Sequence, residues 1–130
     1  PSHLNIAKAF GRISPVKDVD GFNPVNAGML SMSYPVFIPC TPLGVMRMFK
    51  EYEIEVEGKN CVVVGRSNIV GKPMSQLLIN KGATVTVCNS KTKDFVNRHT
   101  TTYCIPTQTN PYVRKCFPDV IKSLLTSISS

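Results

Sequence analysis

The stretch Cys61-Val62-Val63-Val64-Gly65-Arg66-Ser67-Asn68-Ile69-Val70-Gly71-Lys72-Pro73-Met74 decides how this chain folds: a short β-branched run empties into a glycine turn and then a helix start. Gly65 lets the chain turn tightly as it leaves the strand, and Gly71 lets the strand and helix backbones approach. Pro73 suits the first helical turn, where a missing N–H costs nothing. Unpaired backbone N–H groups and the positive end of the helix dipole meet at that gap, so a phosphate settles there.

Working outward, Met74, Leu77, Leu78 and Lys81 follow one helical face, Gly82 can close the helix, and Ala83-Thr84-Val85-Thr86-Val87 reads as a second buried strand. Strand, glycine turn, helix, strand in that order is an α/β unit: a Rossmann-like parallel sheet with flanking helices. The turn departs from the common dinucleotide fingerprint, since it reads Gly-x-Ser-x-x-x-Gly with Ser67 where a second glycine usually sits. Glycines also occur in strand–helix turns of α/β proteins that bind no nucleotide, so the end of the second strand matters. An enzyme using NAD usually carries a carboxylate there for the ribose 2′-hydroxyl. Here the chain reads Cys88-Asn89-Ser90-Lys91-Thr92-Lys93, with no carboxylate before Asp94, while Arg66, Lys91 and Lys93 supply positive charge. A 2′-phosphate is welcomed by a hydroxyl and a guanidinium, so NADP is favoured over NAD. Lys91 and Lys93 themselves read as an ordinary solvated loop.

The 130 residues, 42% of them hydrophobic, have room for one domain with a real core and not for two full ones. The net charge of +7 is uneven, −1 over residues 1–58 and +8 over residues 59–130, so the basic half is the one with the glycine turn. The charges are dispersed, with no aromatic-interleaved basic stripe, which argues against nucleic acid; a basic nucleic-acid binder would show salt-sensitive retention and no preference for NADP. The five cysteines, Cys40, Cys61, Cys88, Cys104 and Cys116, form no C-x-x-C pair and read as reduced thiols of a cytoplasmic protein. His3 and His99 are isolated, so no metal site is expected. No run reaches transmembrane length and no signal-peptide pattern opens the chain, so no membrane partner is expected.

Pro1-Ser2-His3-Leu4 reads as the middle of a longer protein, followed by a short helix from Leu4 to about Phe10. Residues 14–28 pack two prolines, two glycines and two aspartates into a loop-like stretch. Asp18 reads as a turn-former or cap, and Asp20, followed by Gly21, as the better candidate for a ligand contact. Val45, Met48, Phe49 and Tyr52 then mark an amphipathic helix, with Thr41 expected as its N-cap and Pro42 at its first position. The acidic alternation from Glu51 to Lys59 reads as an exposed linker or edge strand. Beyond Thr92 the signals weaken: residues 100–106 make at most a short strand, residues 108–111 a turn, and Pro118 opens a helical pattern through Ile128. Two good strands therefore stand without the usual continuation of the sheet after Lys93.

Three strings carry a resemblance: Pro15-Val16-Lys17-Asp18-Val19-Asp20-Gly21-Phe22-Asn23-Pro24, Pro39-Cys40-Thr41-Pro42-Leu43-Gly44, and Val64-Gly65-Arg66-Ser67-Asn68-Ile69-Val70-Gly71-Lys72-Pro73. In that order and spacing the chain closely resembles the bifunctional methylenetetrahydrofolate dehydrogenase/methenyltetrahydrofolate cyclohydrolase family, from about Pro1 to about Asp94. The resemblance implies a two-domain enzyme, usually a homodimer, whose catalytic and Rossmann domains enclose a folate cleft. It implies NADP-dependent oxidation of 5,10-methylenetetrahydrofolate to the 5,10-methenyl compound and hydrolysis of that product to 10-formyltetrahydrofolate. Asp20 matches the aspartate that orients the pterin; Gly65, Arg66 and Ser67 match the phosphate-binding triplet of the cofactor site; Ser90 matches the hydroxyl near the 2′-phosphate, with Arg66 as its cationic neighbour. Cys40 and Thr41 fall in a motif beside the cleft, and Asn89 occupies a position often held by His, a change that weakens cofactor selectivity.

On this resemblance residues 1–50 are the remainder of the catalytic domain, 51–97 the start of the NADP-binding domain, and 98–130 an atypical tail of the kind a frameshift or truncated gene model produces. The family's catalytic lysine, in a Tyr-x-x-x-Lys motif, and its folate-contacting Gln belong upstream of Pro1. The late Ala-Asp-Ile strand and Pro-Gly-Gly-Val-Gly-Pro-Met-Thr motif have no counterpart here. The alternative is a non-catalytic nucleotide-binding remnant.

Overall fold

A computed structural model describes residues 5–93 and 103–106. Helix α1 (Ile6–Arg12) and a single 3-10 turn (Pro15–Lys17) lead into α2 (Pro24–Ser31) and α3 (Cys40–Glu51). Strand β1 (Asn60–Val64), helix α4 (Gly71–Asn80) and strand β2 (Thr84–Cys88) follow, and β3 (Tyr103–Pro106) completes a parallel sheet of order β2-β1-β3. Cys61 pairs with Val85 on one side and Tyr103 on the other, and Val64 with Cys88 and Pro106.

The central position of β1 explains its composition. Both faces of a parallel strand are covered, so its apolar run has no polar alternation, and Cys61 through Val64 are all buried. On one face Cys61 and Val63 join Val56, Met74, Leu78 and Ile105 in the main core, with Val45, Met46 and Phe49 of α3 packed against it. On the other, Val62 and Val64 meet Cys88. Helix α4 brings Met74 and Leu78 to full burial and leaves Leu77 half-buried. It ends where the glycine signal places the stop: Gly82 has φ +78°, its N–H donates to the Ile79 carbonyl at 2.9 Å, and the Ala83 N–H donates to that of Leu78 at 3.0 Å.

The third strand, Tyr103–Pro106, is the short strand that residues 100–106 can make at most, and it gives β1 a second neighbour beyond the two expected strands. Tyr103–Pro106 runs along the free edge of β1 and adds Ile105 to the core, covering backbone groups that an exposed edge would leave unpaired. Two helix starts also differ. Helix α1 begins at Ile6, where the Asn5 side chain accepts the Lys8 N–H at 2.9 Å, and runs to Arg12. In α3 the expected Thr41 cap is replaced by Pro39, whose carbonyl accepts the Leu43 N–H at 3.1 Å and so starts the helix two residues earlier. Pro42 is then the third helical residue, still within the turn that needs no N–H. Residues 52–59 form a connection rather than an edge strand; Glu53 and Gly58 take positive φ, and Val56 drops into the core between exposed glutamates. The expected turn at 108–111, the helical pattern from Pro118, Asp94, His3, His99 and Cys116 lie outside the described residues.

Candidate functional site

The site begins where β1 leaves the sheet. Gly65 has φ +123° and donates its N–H to the Cys88 carbonyl at 2.8 Å, which ties the ends of β1 and β2 together. Ser67 follows as the organiser of the turn. Its Oγ accepts the N–H groups of Val70 (3.1 Å) and Gly71 (3.2 Å), and its carbonyl accepts the N–H of Lys72 at 2.9 Å. The hydroxyl that replaces a fingerprint glycine is thus a cap for α4, a role the spacing alone does not reveal. Gly71 sits so close beneath the turn that a Cβ there would lie 2.3 Å from the Gly65 carbonyl oxygen.

These bonds relocate the anion-binding donors. The first N–H groups of α4 are already used by Ser67, whereas those of Arg66, Ser67, Asn68 and Ile69 have no acceptor among the described residues. Four successive main-chain donors in a turn form the kind of concavity that holds a phosphate. Ser67 also keeps its own O–H to donate, because its two bonds occupy only lone pairs.

At the end of β2, Asn89 and Thr92 close a small turn: the Thr92 Oγ1 accepts the Asn89 N–H at 2.9 Å, and the Asn89 side chain accepts the Lys91 N–H at 3.0 Å. Ser90 is exposed in that turn. Arg66 and Ser90 each lie two residues beyond the paired Val64 and Cys88, so the register brings them to the same carboxyl edge of the sheet, both exposed. Lys91 and Lys93 are exposed, as a solvated loop requires.

The other predicted residue, Asp20, is exposed on the loop before α2. Its neighbour in sequence, Asp18, is buried. Asp18 Oδ1 accepts the Phe22 N–H at 3.1 Å, and Oδ2 accepts the Asn23 N–H at 2.7 Å and the Asn26 Nδ2 at 2.8 Å. Burial pushes this carboxyl up, but the hydrogen bonds from Asn26, Asn23 and Phe22, with the Gly21 N–H close by, outweigh it and hold the group below its ordinary value. Asn23 is the N-cap of α2, its Oδ1 accepting the Val25 N–H at 2.8 Å while its Nδ2 donates to the Phe10 and Ile13 carbonyls. The Asn23-Pro24 pair is the signal that would have located this helix from sequence.

A cleft of about 390 Å³ opens between this segment and α4. One wall is Gly21, Phe22, Pro24 and Leu30, the other Asn68, Lys72, Pro73 and Gln76. The chain adjoining Asp20 therefore faces the chain adjoining Ser67, and Asn80 Nδ2 donates to the Leu30 carbonyl at 2.9 Å to hold the two walls together. Lys72, Asn68 and Gln76 were not singled out by the sequence; nothing in their spacing distinguishes them from other polar residues of a helix start. Cys40 and Thr41 are exposed at the first turn of α3. Among the described residues no group of three or more potential metal ligands comes together, and no helix is long and apolar enough to cross a membrane.

A parallel sheet whose central strand ends in a glycine turn capped onto a helix defines an α/β unit of the nucleotide-binding class. Residues 39–105 match the family model of the tetrahydrofolate dehydrogenase/cyclohydrolase NAD(P)-binding domain, and the chain belongs to that enzyme family. It is 58% identical over 94 residues to the bifunctional protein FolD of Campylobacter hominis and 54% identical over the same length to that of Streptococcus agalactiae, in each case over 72% of this chain and 33% of the relative. The chain thus spans about a third of the length of these relatives. Among solved structures, the Campylobacter jejuni FolD methylenetetrahydrofolate dehydrogenase/cyclohydrolase superposes with TM-score 0.78 at 47% identity, over 82% of this chain and 38% of that one. The Trypanosoma brucei FolD enzyme, solved with NADP and an inhibitor, superposes with TM-score 0.79 at 35% identity, over 85% of this chain and 39% of that one.

Proposed function

We propose that this chain serves one-carbon folate interconversion: oxidation of 5,10-methylenetetrahydrofolate with NADP and hydrolysis of the 5,10-methenyl product to 10-formyltetrahydrofolate. The observation that carries the reading is the Gly65–Gly71 turn, with four main-chain N–H groups lacking acceptors among the described residues and a helix pressed too close for any side chain at Gly71. That cradle fits a dinucleotide phosphate, and the Trypanosoma brucei relative was solved with NADP.

In this reading the N–H groups of residues 66–69 and the Ser67 hydroxyl donate to the cofactor's phosphates. Arg66 and Ser90, at one carboxyl edge, select the 2′-phosphate: the guanidinium supplies charge and the hydroxyl a directed bond. NADP, when bound, accepts the hydride released from the one-carbon bridge. Asp20, exposed beside the cleft, presents a carboxylate to the N–H donors of the pterin's aminopyrimidine edge. The apolar wall of Phe22, Pro24 and Leu30 excludes water from one side of the cleft. The segment before α3 furnishes the folate side, and α3 belongs with the nucleotide side, because Val45, Met46 and Phe49 pack on the core of β1 and α4 and the NAD(P)-binding family model begins at residue 39. The 130 residues hold no Tyr-x-x-x-Lys motif, so they do not supply the family's proton-handling lysine in that motif. A cytoplasmic setting suits the buried Cys61 thiol, and a homodimer is the assembly the family implies.

Titration with NADP and with NAD, together with NADPH formation from 5,10-methylenetetrahydrofolate, tests the reading. Tighter binding of NADP than NAD is the expected result, and turnover by these 130 residues would show that the reaction proceeds without the Tyr-x-x-x-Lys lysine. Binding without turnover identifies a non-catalytic nucleotide-binding chain, and binding of neither cofactor refutes the assignment of the turn.

A further inference from the structure

Among the described residues, Asp18 is the charged side chain that the fold buries, at 5% exposure. A buried carboxylate is costly unless it is fully hydrogen-bonded. Here the donors are the Phe22 and Asn23 N–H groups and the Asn26 amide. All three belong to residues that follow Asp20. The main chain closes in the same sense, the Gly21 N–H donating to the Asp18 carbonyl at 3.0 Å. Asp20 therefore occupies the third position of a tight turn whose two ends are clasped by Asp18.

The clasp is anchored on both sides. Asn26 also donates to the Pro15 carbonyl at 2.9 Å, and Asn23 to Ile13 at 2.8 Å, so the accepting side chain is wedged among elements that cannot drift independently. On the outer side Gly21, at φ +69°, fits against residues 37–39; a Cβ there would stand 3.0 Å from the Phe37 carbonyl oxygen and 3.1 Å from Pro39 Cδ. Asp20 itself is exposed and makes no hydrogen bond with the described residues. A buried charge that organises the chain around an exposed, unengaged carboxylate is an arrangement for aiming the second with the first.

We propose that Asp18 is a positioning residue of the folate subsite, acting through Asp20 by fixing the turn from which the Asp20 carboxylate meets the pterin. The inference rests on the reading of Asp20 given above. An apolar residue at position 18 would fill the space but accept none of the three N–H donors. Asparagine fills it too, with one acceptor oxygen in place of two.

The experiment titrates the chain with 5-formyltetrahydrofolate and, separately, with NADP, using wild type, Asp18→Asn, Asp20→Ala and the double variant. Asp18→Asn is expected to weaken the folate probe about tenfold, the scale of one charge-assisted hydrogen bond, with NADP affinity unchanged within about twofold. In the double variant the folate probe binds no more weakly than in Asp20→Ala, because a residue acting through Asp20 has nothing left to aim. Unchanged folate binding in Asp18→Asn, additive losses in the double variant, or joint loss of folate and NADP binding each overturns the positioning role. The last outcome makes Asp18 a residue of the fold. A wild-type chain that takes NADP but no folate probe overturns the reading of Asp20 as well, which separates the two failures.

Discussion

Replacing Gly71 with alanine adds one methyl group at the closest backbone approach in the site. The new Cβ would lie 2.3 Å from the Gly65 carbonyl oxygen, 2.7 Å from its carbon and 2.8 Å from Arg66 Cα. Ordinary contact needs about 3.5 Å, so turn and helix must part by about 1 Å. The neighbours are main chain and cannot rotate aside, which puts the cost near about 3 kcal/mol, the upper end of the overpacking range. In a domain of this size that corresponds to a melting temperature lower by roughly 10–20 °C. The same displacement pulls Ser67 from the Val70 and Gly71 N–H groups, so NADP affinity falls along with stability. Gly28→Ala and Gly44→Ala are the controls: both glycines are helical and have nothing within 4 Å of an added Cβ. Each is expected to stabilise by about 0.5–1 kcal/mol through helix propensity. Thermal melts and NADP titrations of the three variants decide the matter. A Gly71→Ala protein that melts with the wild type and binds NADP equally well refutes the close-approach argument.

Three further outcomes follow from the same geometry. Ser67→Ala removes the cap of α4 and the hydroxyl donor together, so it is expected to cost about 1 kcal/mol in denaturant melts and to weaken NADP binding. Arg66→Ala and Ser90→Ala are expected to lower NADP affinity about tenfold each while leaving NAD affinity within about twofold, measured by parallel titrations; equal losses for both cofactors would place these residues away from the 2′-phosphate. The Asp18 carboxyl is held below its ordinary value, so its contribution to stability is fully present above the unfolded pKa of about 3.9 and is lost as pH falls through the lower folded value. Melting temperatures followed downward from neutral pH are therefore expected to drop more steeply below about pH 4 in the wild type than in Asp18→Asn.

The order of the two-strand unit is legible because its signals are local, but β2 is not the buried strand expected: as an outer strand of the β2-β1-β3 sheet it exposes Thr84, Thr86 and Val87 and buries only Cys88. The run Cys61–Val64 needs both faces covered, Gly65 and Gly82 adopt φ values that side chains resist, and Pro73 belongs in a first helical turn; each preference acts within a few residues. The same locality placed Asp18 in a turn-forming role. Thr41 is not the cap because a proline is tolerated anywhere in the first helical turn, so Pro42 does not fix the start, and the Pro39 carbonyl, accepting the Leu43 N–H, begins the helix at Cys40. The strand at Tyr103–Pro106 gave little periodicity to read, since a short run gains strand character mainly from the edge it pairs with.

From the residues alone came the α/β order and the glycine turn between strand and helix, which the structure holds at Gly65 and Gly71; the family resemblance added Asp20 and Ser90 to Gly65, Arg66 and Ser67 as candidate ligand contacts. Tertiary packing alone decided that Ser67 spends its lone pairs on α4, which shifts the open N–H groups into the turn, that Asp18 is buried behind Asp20, and that the segment before α2 faces α4 across a cleft. The division has a physical cause. Backbone torsions and hydrophobic period are properties of neighbouring residues, whereas a hydrogen-bond partner, a burial or a cleft wall exists only once segments far apart in sequence have been brought together.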